Sequence, residues 1–178
     1  MIAGQHVYFI ASLPMLHFPG KPPFSFGDFL ASCGGLIPEA ERRILEGIPR
    51  LFAGVPAYPR QPTLEKWAAF ESALRNELVR LRCQQKKIEA RHFMRGDTQA
   101  EPDYAQAAAS AVKFISPLEA EFHLDQVRWF YLEELSFAHY FDFDFLVVYA
   151  LKLLILERWE RFNQADKMKL LEAALAVS

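Results

Sequence analysis

From Thr63 to about Met94 the chain runs without Gly or Pro, and Trp67, Phe70, Leu74, Leu78 and Leu81 recur three and four residues apart. That spacing is the apolar stripe of an amphipathic helix, and at about 1.5 Å per residue it would be a rod of roughly 45 to 50 Å. Gly96 to Pro102 breaks the pattern, and an alanine-rich helix over 103–115 follows. Ser116, Pro117 and Glu119 then stand at the cap, first and third positions of a capping box, which opens a helix expected to run to about Tyr140. Asp142 or Asp144 caps the next helix, which continues to about Phe162, and 166–176 suits a last, frayed one. Phe145 to Leu156 is the most hydrophobic run, interrupted by Lys152 and bounded by Asp144 and Glu157. It falls short of the roughly 20 apolar residues that span a bilayer, so it predicts a helix surrounded by protein on nearly all sides.

The first third reads differently. Nine of the eleven prolines fall between residues 14 and 62, each fixing φ and removing a backbone donor. Two short helices fit there: Ser25 to about Cys33, with Ser25 and Asp28 as cap, and Glu39 to Glu46, stopped by Gly47. Pro49 to Pro62 reads as an extended connector. Val7 to Ala11 is ambiguous between helix and strand, and no other run demands a sheet. The fold class expected is all-α, a helical bundle with long antiparallel helices and a proline-rich N-terminal region. It is read as one domain over 1–178, divided into a region 1–62 with short helices and a long-helix bundle 63–178. The apolar stretch Val7 to Leu13 has no basic leader ahead of it, which argues against a secretory signal.

Composition narrows the function classes. With 52% apolar and 24% charged residues and a net charge of −2, the chain is neither disordered nor a general nucleic-acid binder. Cys33 and Cys83 are too few for a disulfide framework, so a reducing compartment is the default. The total conceals a division. Residues 1–95 hold 13 Lys and Arg against 8 Asp and Glu, net +5, whereas residues 96–178 hold 7 against 14, net −7.

Leu118, Phe122, Trp129 and Leu132 stripe the helix after Ser116, and Asp125 occupies the stripe position between Phe122 and Trp129. A carboxylate on an apolar face must be paired, exposed or protonated. Arg128, three residues on, and Lys152 in the apolar helix are its natural counter-ions, and Glu121, Asp125, Arg128 and Lys152 form the candidate ion-pair set. The alternative is a functional carboxylate. Glu119, Glu121, His123, Asp125, Glu133, Glu134 and His139 also crowd this region, which raises metal binding. A di-iron bundle needs Glu-x-x-His at i, i+3, whereas Glu119 and His123 are four apart and Glu134 and His139 five apart. No nucleophile elbow and no phosphate-binding loop is present, and no catalytic residue, metal ligand or cofactor is assigned. A basic run, Arg75, Arg80, Arg82, Lys86, Lys87, Arg91 and Arg95 against Glu77 and Glu89, gives +5 between residues 75 and 95. Arg75, Arg80, Arg82, Lys86, Lys87 and Arg91 are candidates for docking a partner or an anionic lipid surface. The plainer alternative is a solvated face with an acidic partner in the same chain. Nucleic acid fits poorly, because no aromatics are interleaved with the charges.

HVYFIASLPML, KPPFSFGDFL, WAAFESALRNELVRLR and, above all, the segment from SPLEAEFHLDQVRWFYLEEL to LERWERF resemble an uncharacterised bacterial family whose genes lie in V/A-type ATPase operons. Pro117 to about Phe162 is also similar to the C-type subunit of archaeal and bacterial V/A-type ATPases, the counterpart of the eukaryotic d-type one. The resemblance implies a non-catalytic helical coupling piece between the central stalk and the rotor ring, cytoplasmic and peripheral to the inner membrane through the complex. It implies bundle-shaping roles for Leu118, Glu119, Glu121, Leu124, Asp125 and Tyr149, and other ATPase subunits, not nucleic acid, as partners. The contrasting expectation is a helical bundle that binds a small molecule or a metal.

Overall fold

The computed structural model describes residues 3–52, 60–96 and 101–176. Among them there is no strand, and the elements are α1 (Ala3–Ser12), α2 (Phe26–Ser32), α3 (Glu39–Phe52), α4 (Pro62–Lys86), α5 (Pro102–Ala111), α6 (Pro117–Ser136) and α7 (Phe143–Ala176), with a 3₁₀ turn at Arg91–Phe93. The all-α expectation holds. No helix among the described residues is long and apolar enough to cross a membrane. The chain divides into two compact units, one formed by Met1–Pro59 with Ser136–Ser178 and the other by Arg60–Leu135.

In the first unit α2 and α3 pack on α7. From Leu146 to Leu156 every α7 residue but Lys152 is buried, as its uninterrupted hydrophobicity demands. Against it lie Phe29 of α2 and Leu45 and Ile48 of α3, each fully buried. Tyr149 anchors an aromatic cluster: its ring lies 5.4 Å from Phe29 and 6.4 Å from Phe24, and its hydroxyl donates to the Pro14 carbonyl at 2.9 Å. The proline-rich segment is thereby tied down by polar contacts as well as by apolar burial. Glu157 of α7 accepts a hydrogen bond from the Phe26 amide at 2.6 Å, putting a carboxylate on the first turn of α2, where the helix dipole favours it. His6 of α1 contacts Glu41 of α3 at 2.6 Å.

Several boundaries differ from the sequence expectation. Val7 to Ala11 belongs to α1. Gly47 does not stop α3, which runs through Pro49 to Phe52. The burial of Leu45 and Ile48 on one face outweighs the hydrogen bond that Pro49 cannot donate. The expected connector 49–62 begins inside α3 and ends at Pro62, the first residue of α4, while 53–59 lie outside the described residues. α6 stops at Ser136, with Ala138 in the left-handed region at φ 68°. The two helices expected over 142–162 and 166–176 are one continuous α7.

In the second unit α4 packs on α5, with Trp67, Leu64 and Leu74 of α4 and Ala108 and Ala111 of α5 buried. Aromatic rings join α4, α5 and α6. Phe70 and Tyr131 stack at 4.0 Å and 11°, and Tyr104 meets both edge-on, at 5.0 and 5.7 Å. Offset stacks and edge-on pairs are the favoured arrangements of aromatic quadrupoles.

Candidate functional site

Asp125 sits in the stripe of α6 with its side chain fully buried. The Arg128 Nη1 donates to it at 2.8 Å across one helical turn, and the Arg128 Nε donates to Glu71 of α4 at 2.6 Å. Glu121 approaches the same Nη1 at 3.8 Å from the rim. Burial works against the Arg128 charge, but the Glu71 and Asp125 carboxylates outweigh it and hold its pKa above the ordinary arginine range. The planar guanidinium suits this fork, since two carboxylates engage two of its edges. The chemical consequence is a fixed, charged tie between α4 and α6.

Lys152, the other counter-ion considered for Asp125, lies half-buried on α7 in the first unit. Glu71 stands outside the set that sequence spacing suggests. Arg75, four residues along the same helix, is its obvious local partner, and local spacing carries no sign of a cation 57 residues away.

Two nearby carboxylates are engaged in the same way. The Trp129 indole donates to Glu133 at 2.9 Å. The Tyr104 hydroxyl donates to Glu134 at 2.6 Å, and burial together with that carboxylate raises the phenol's pKa. His123 packs its ring 5.6 Å from Phe114, and its Nε2 is buried without a hydrogen-bond partner among the described residues. Glu119, Glu121, His123, Asp125, Glu133 and Glu134 belong to the second unit and His139 to the first. His139, Asp142 and Asp144 do converge, with one donor atom from each within 4.8 Å of the others. Asp142 Oδ1 accepts from the Phe145 amide at 3.0 Å and Oδ2 meets His139 at 2.6 Å, so Asp142 is the N-cap of α7.

The basic run departs from a simple rod. α4 ends at Lys86, short of the expected Met94, because Lys87 adopts the left-handed conformation at φ 54°. The Ile88 amide then donates to the Cys83 carbonyl at 3.0 Å and the Lys87 amide to Gln84 at 3.2 Å. These are the two bonds of a Schellman stop, with lysine where glycine is usual. The following segment returns along α4. Asn76, 1% exposed, donates to the Arg95 carbonyl at 2.9 Å and accepts from its amide at 2.8 Å. Arg75, Arg82, Lys86, Lys87, Arg91 and Arg95 are at least partly exposed. Arg80 reaches Glu77 at 2.6 Å.

These features define an all-helical protein whose buried charges tie helices together. A family model described as "Protein of unknown function (DUF2764)" matches residues 111–172, from the end of α5 through most of α7. No curated protein and no solved structure matches the chain.

Proposed function

We propose that this chain is a non-catalytic subunit or accessory protein of a bacterial V/A-type ATPase, a coupling piece resembling the C-type subunit and held at the inner membrane through the complex. The observation that carries the reading is the segment from Pro117 to about Phe162, whose pattern resembles that subunit. It forms α6, the turn after it and the buried core of α7. In that segment the charged groups work as structure. Arg128 is committed to Glu71 and Asp125, Glu157 to the first turn of α2, and Asp142 to the start of α7.

The turn between α6 and α7 adds support. Phe137, Tyr140 and Phe141 are 77%, 61% and 52% exposed within five residues, beside Asp142 and Asp144. Exposed aromatics clustered in this way are typical of a surface that another protein covers. A tagged copy expressed in its native host tests the proposal by affinity purification and mass spectrometry. Enrichment of V/A-type ATPase subunits is expected, and weakened enrichment when Phe137, Tyr140 and Phe141 are replaced together by Ser. Reproducible absence of every ATPase subunit would refute it.

A further inference from the structure

The basic stretch after Arg75 is more concentrated than its sequence suggests. Arg82 and Lys86 follow Arg75 by seven and eleven residues, so the three share one stripe, about 16 Å long, on α4. The Schellman stop at Lys87 reverses the chain, and the paired hydrogen bonds from Asn76 hold the Arg95 backbone against the α4 turn that carries Arg75. Arg91 and Arg95 are thereby returned to the helix that already bears Arg75, Arg82 and Lys86. Between residues 82 and 95 there are five Lys and Arg and one acid, Glu89, a net +4. Among the described residues Glu89 meets His92, at 3.9 Å, and none of these five cations forms an ion pair. Two apolar side chains project from the same return, Ile88 at 49% exposure and Phe93 at 59%.

We infer that this edge of the second unit binds an anionic phospholipid surface. Lysine and arginine beside such a surface each add a similar electrostatic increment. Exposed Ile88 and Phe93, which lie in sequence between Lys87 and Arg95, are suited to the boundary between headgroups and acyl chains. A nucleic-acid groove would instead interleave several aromatics with the cations, and here Phe93 stands alone. An acidic protein partner is the competing occupant, and the polyglutamate comparison below separates it from a vesicle surface. The inference stands apart from the ATPase reading, because a vesicle contains no ATPase.

The full chain, mixed with vesicles of phosphatidylcholine alone or with phosphatidylglycerol, tests this by flotation across a salt series. Binding is expected only with phosphatidylglycerol, weakening as salt rises. Replacing Arg82, Lys86, Lys87 and Arg91 together by Gln removes surface charges without touching the core, and should cost about fivefold per cation, a few hundredfold in all. Replacing Ile88 and Phe93 by Ser should weaken binding roughly tenfold while leaving its salt dependence unchanged. Lack of flotation with phosphatidylglycerol, equal flotation with phosphatidylcholine alone, or an unaffected quadruple variant would each overturn the inference. So would tighter binding to a single-stranded oligonucleotide or to polyglutamate than to vesicles at matched charge.

Discussion

Asp125 illustrates how a single residue can be legible in part. A carboxylate in an apolar stripe announces a buried charge, and Arg128 at i+3 announces one partner. Glu71 enters only when α4 and α6 meet, and no local spacing encodes that meeting. Removing Asp125 leaves Arg128 buried with one of its two hydrogen-bonded carboxylates gone. Asp125→Ala is therefore expected to cost about 3 to 5 kcal/mol, on the order of a 10 °C fall in Tm for a chain of this size. Glu71→Ala should cost clearly less, because Glu71 is already partly solvated at 26% exposure. Thermal melts of the two variants decide it, and equal effects would show that the tie is shared evenly. Cys33 offers an independent check. Burial pushes its thiol up to about 12, with Arg42 pulling weakly the other way, so the reactive thiolate is scarce at neutral pH. Cys83 is also buried. Thiol titration of the native protein should find neither cysteine, and both after denaturation; rapid native labelling of Cys33 would show that the α2–α3 packing opens.

At the level of elements, the helices were largely legible and their ends were not. Proline and glycine are weak stops where a buried face continues past them, as Leu45 and Ile48 carry α3 through Gly47. Conversely, α4 ends where no breaker stands, because Lys87 takes a left-handed turn that no neighbouring residue type announces. A non-glycine residue there costs roughly 1 kcal/mol. Lys87→Gly should accordingly stabilise the protein by about that amount, raising Tm by a few degrees, whereas a lower Tm would contradict the assigned stop. The short α2 depends on its cap. Ser25 and Asp28 form a reciprocal capping box, and the hydrogen bonds from the Ser25 side chain and then its backbone hold the Asp28 carboxyl below its ordinary 3.8. A carboxyl whose folded pKa is depressed contributes stability that is complete above its unfolded pKa and is lost as pH falls through the folded value. Amide protection at Phe29 and Cys33, corrected for intrinsic exchange, should thus decline below about pH 4. Ser25→Ala should remove most of that decline, and an unchanged profile in the variant would assign the acid sensitivity elsewhere.

Across the whole molecule, folding redistributes the charge. The division between a +5 half and a −7 half follows chain order, but the compact units do not. Residues 60–135 hold 11 Lys and Arg against 12 Asp and Glu, net −1, and the remainder hold 9 against 10, also −1. Each unit is close to neutral, and the cations of the second are concentrated along the edge built from Arg75 to Arg95. The exposed aromatic turn Phe137 to Phe141 belongs to the first unit, giving each unit one surface suited to a different neighbour. The assembly role proposed above accommodates both. Native mass spectrometry of the purified V/A-type ATPase titrated with this 20.5 kDa chain tests that role most directly. The account predicts complexes heavier by whole multiples of the chain's mass, lost when Phe137, Tyr140 and Phe141 become Ser. Spectra in which ATPase and chain stay separate at saturating chain would contradict it.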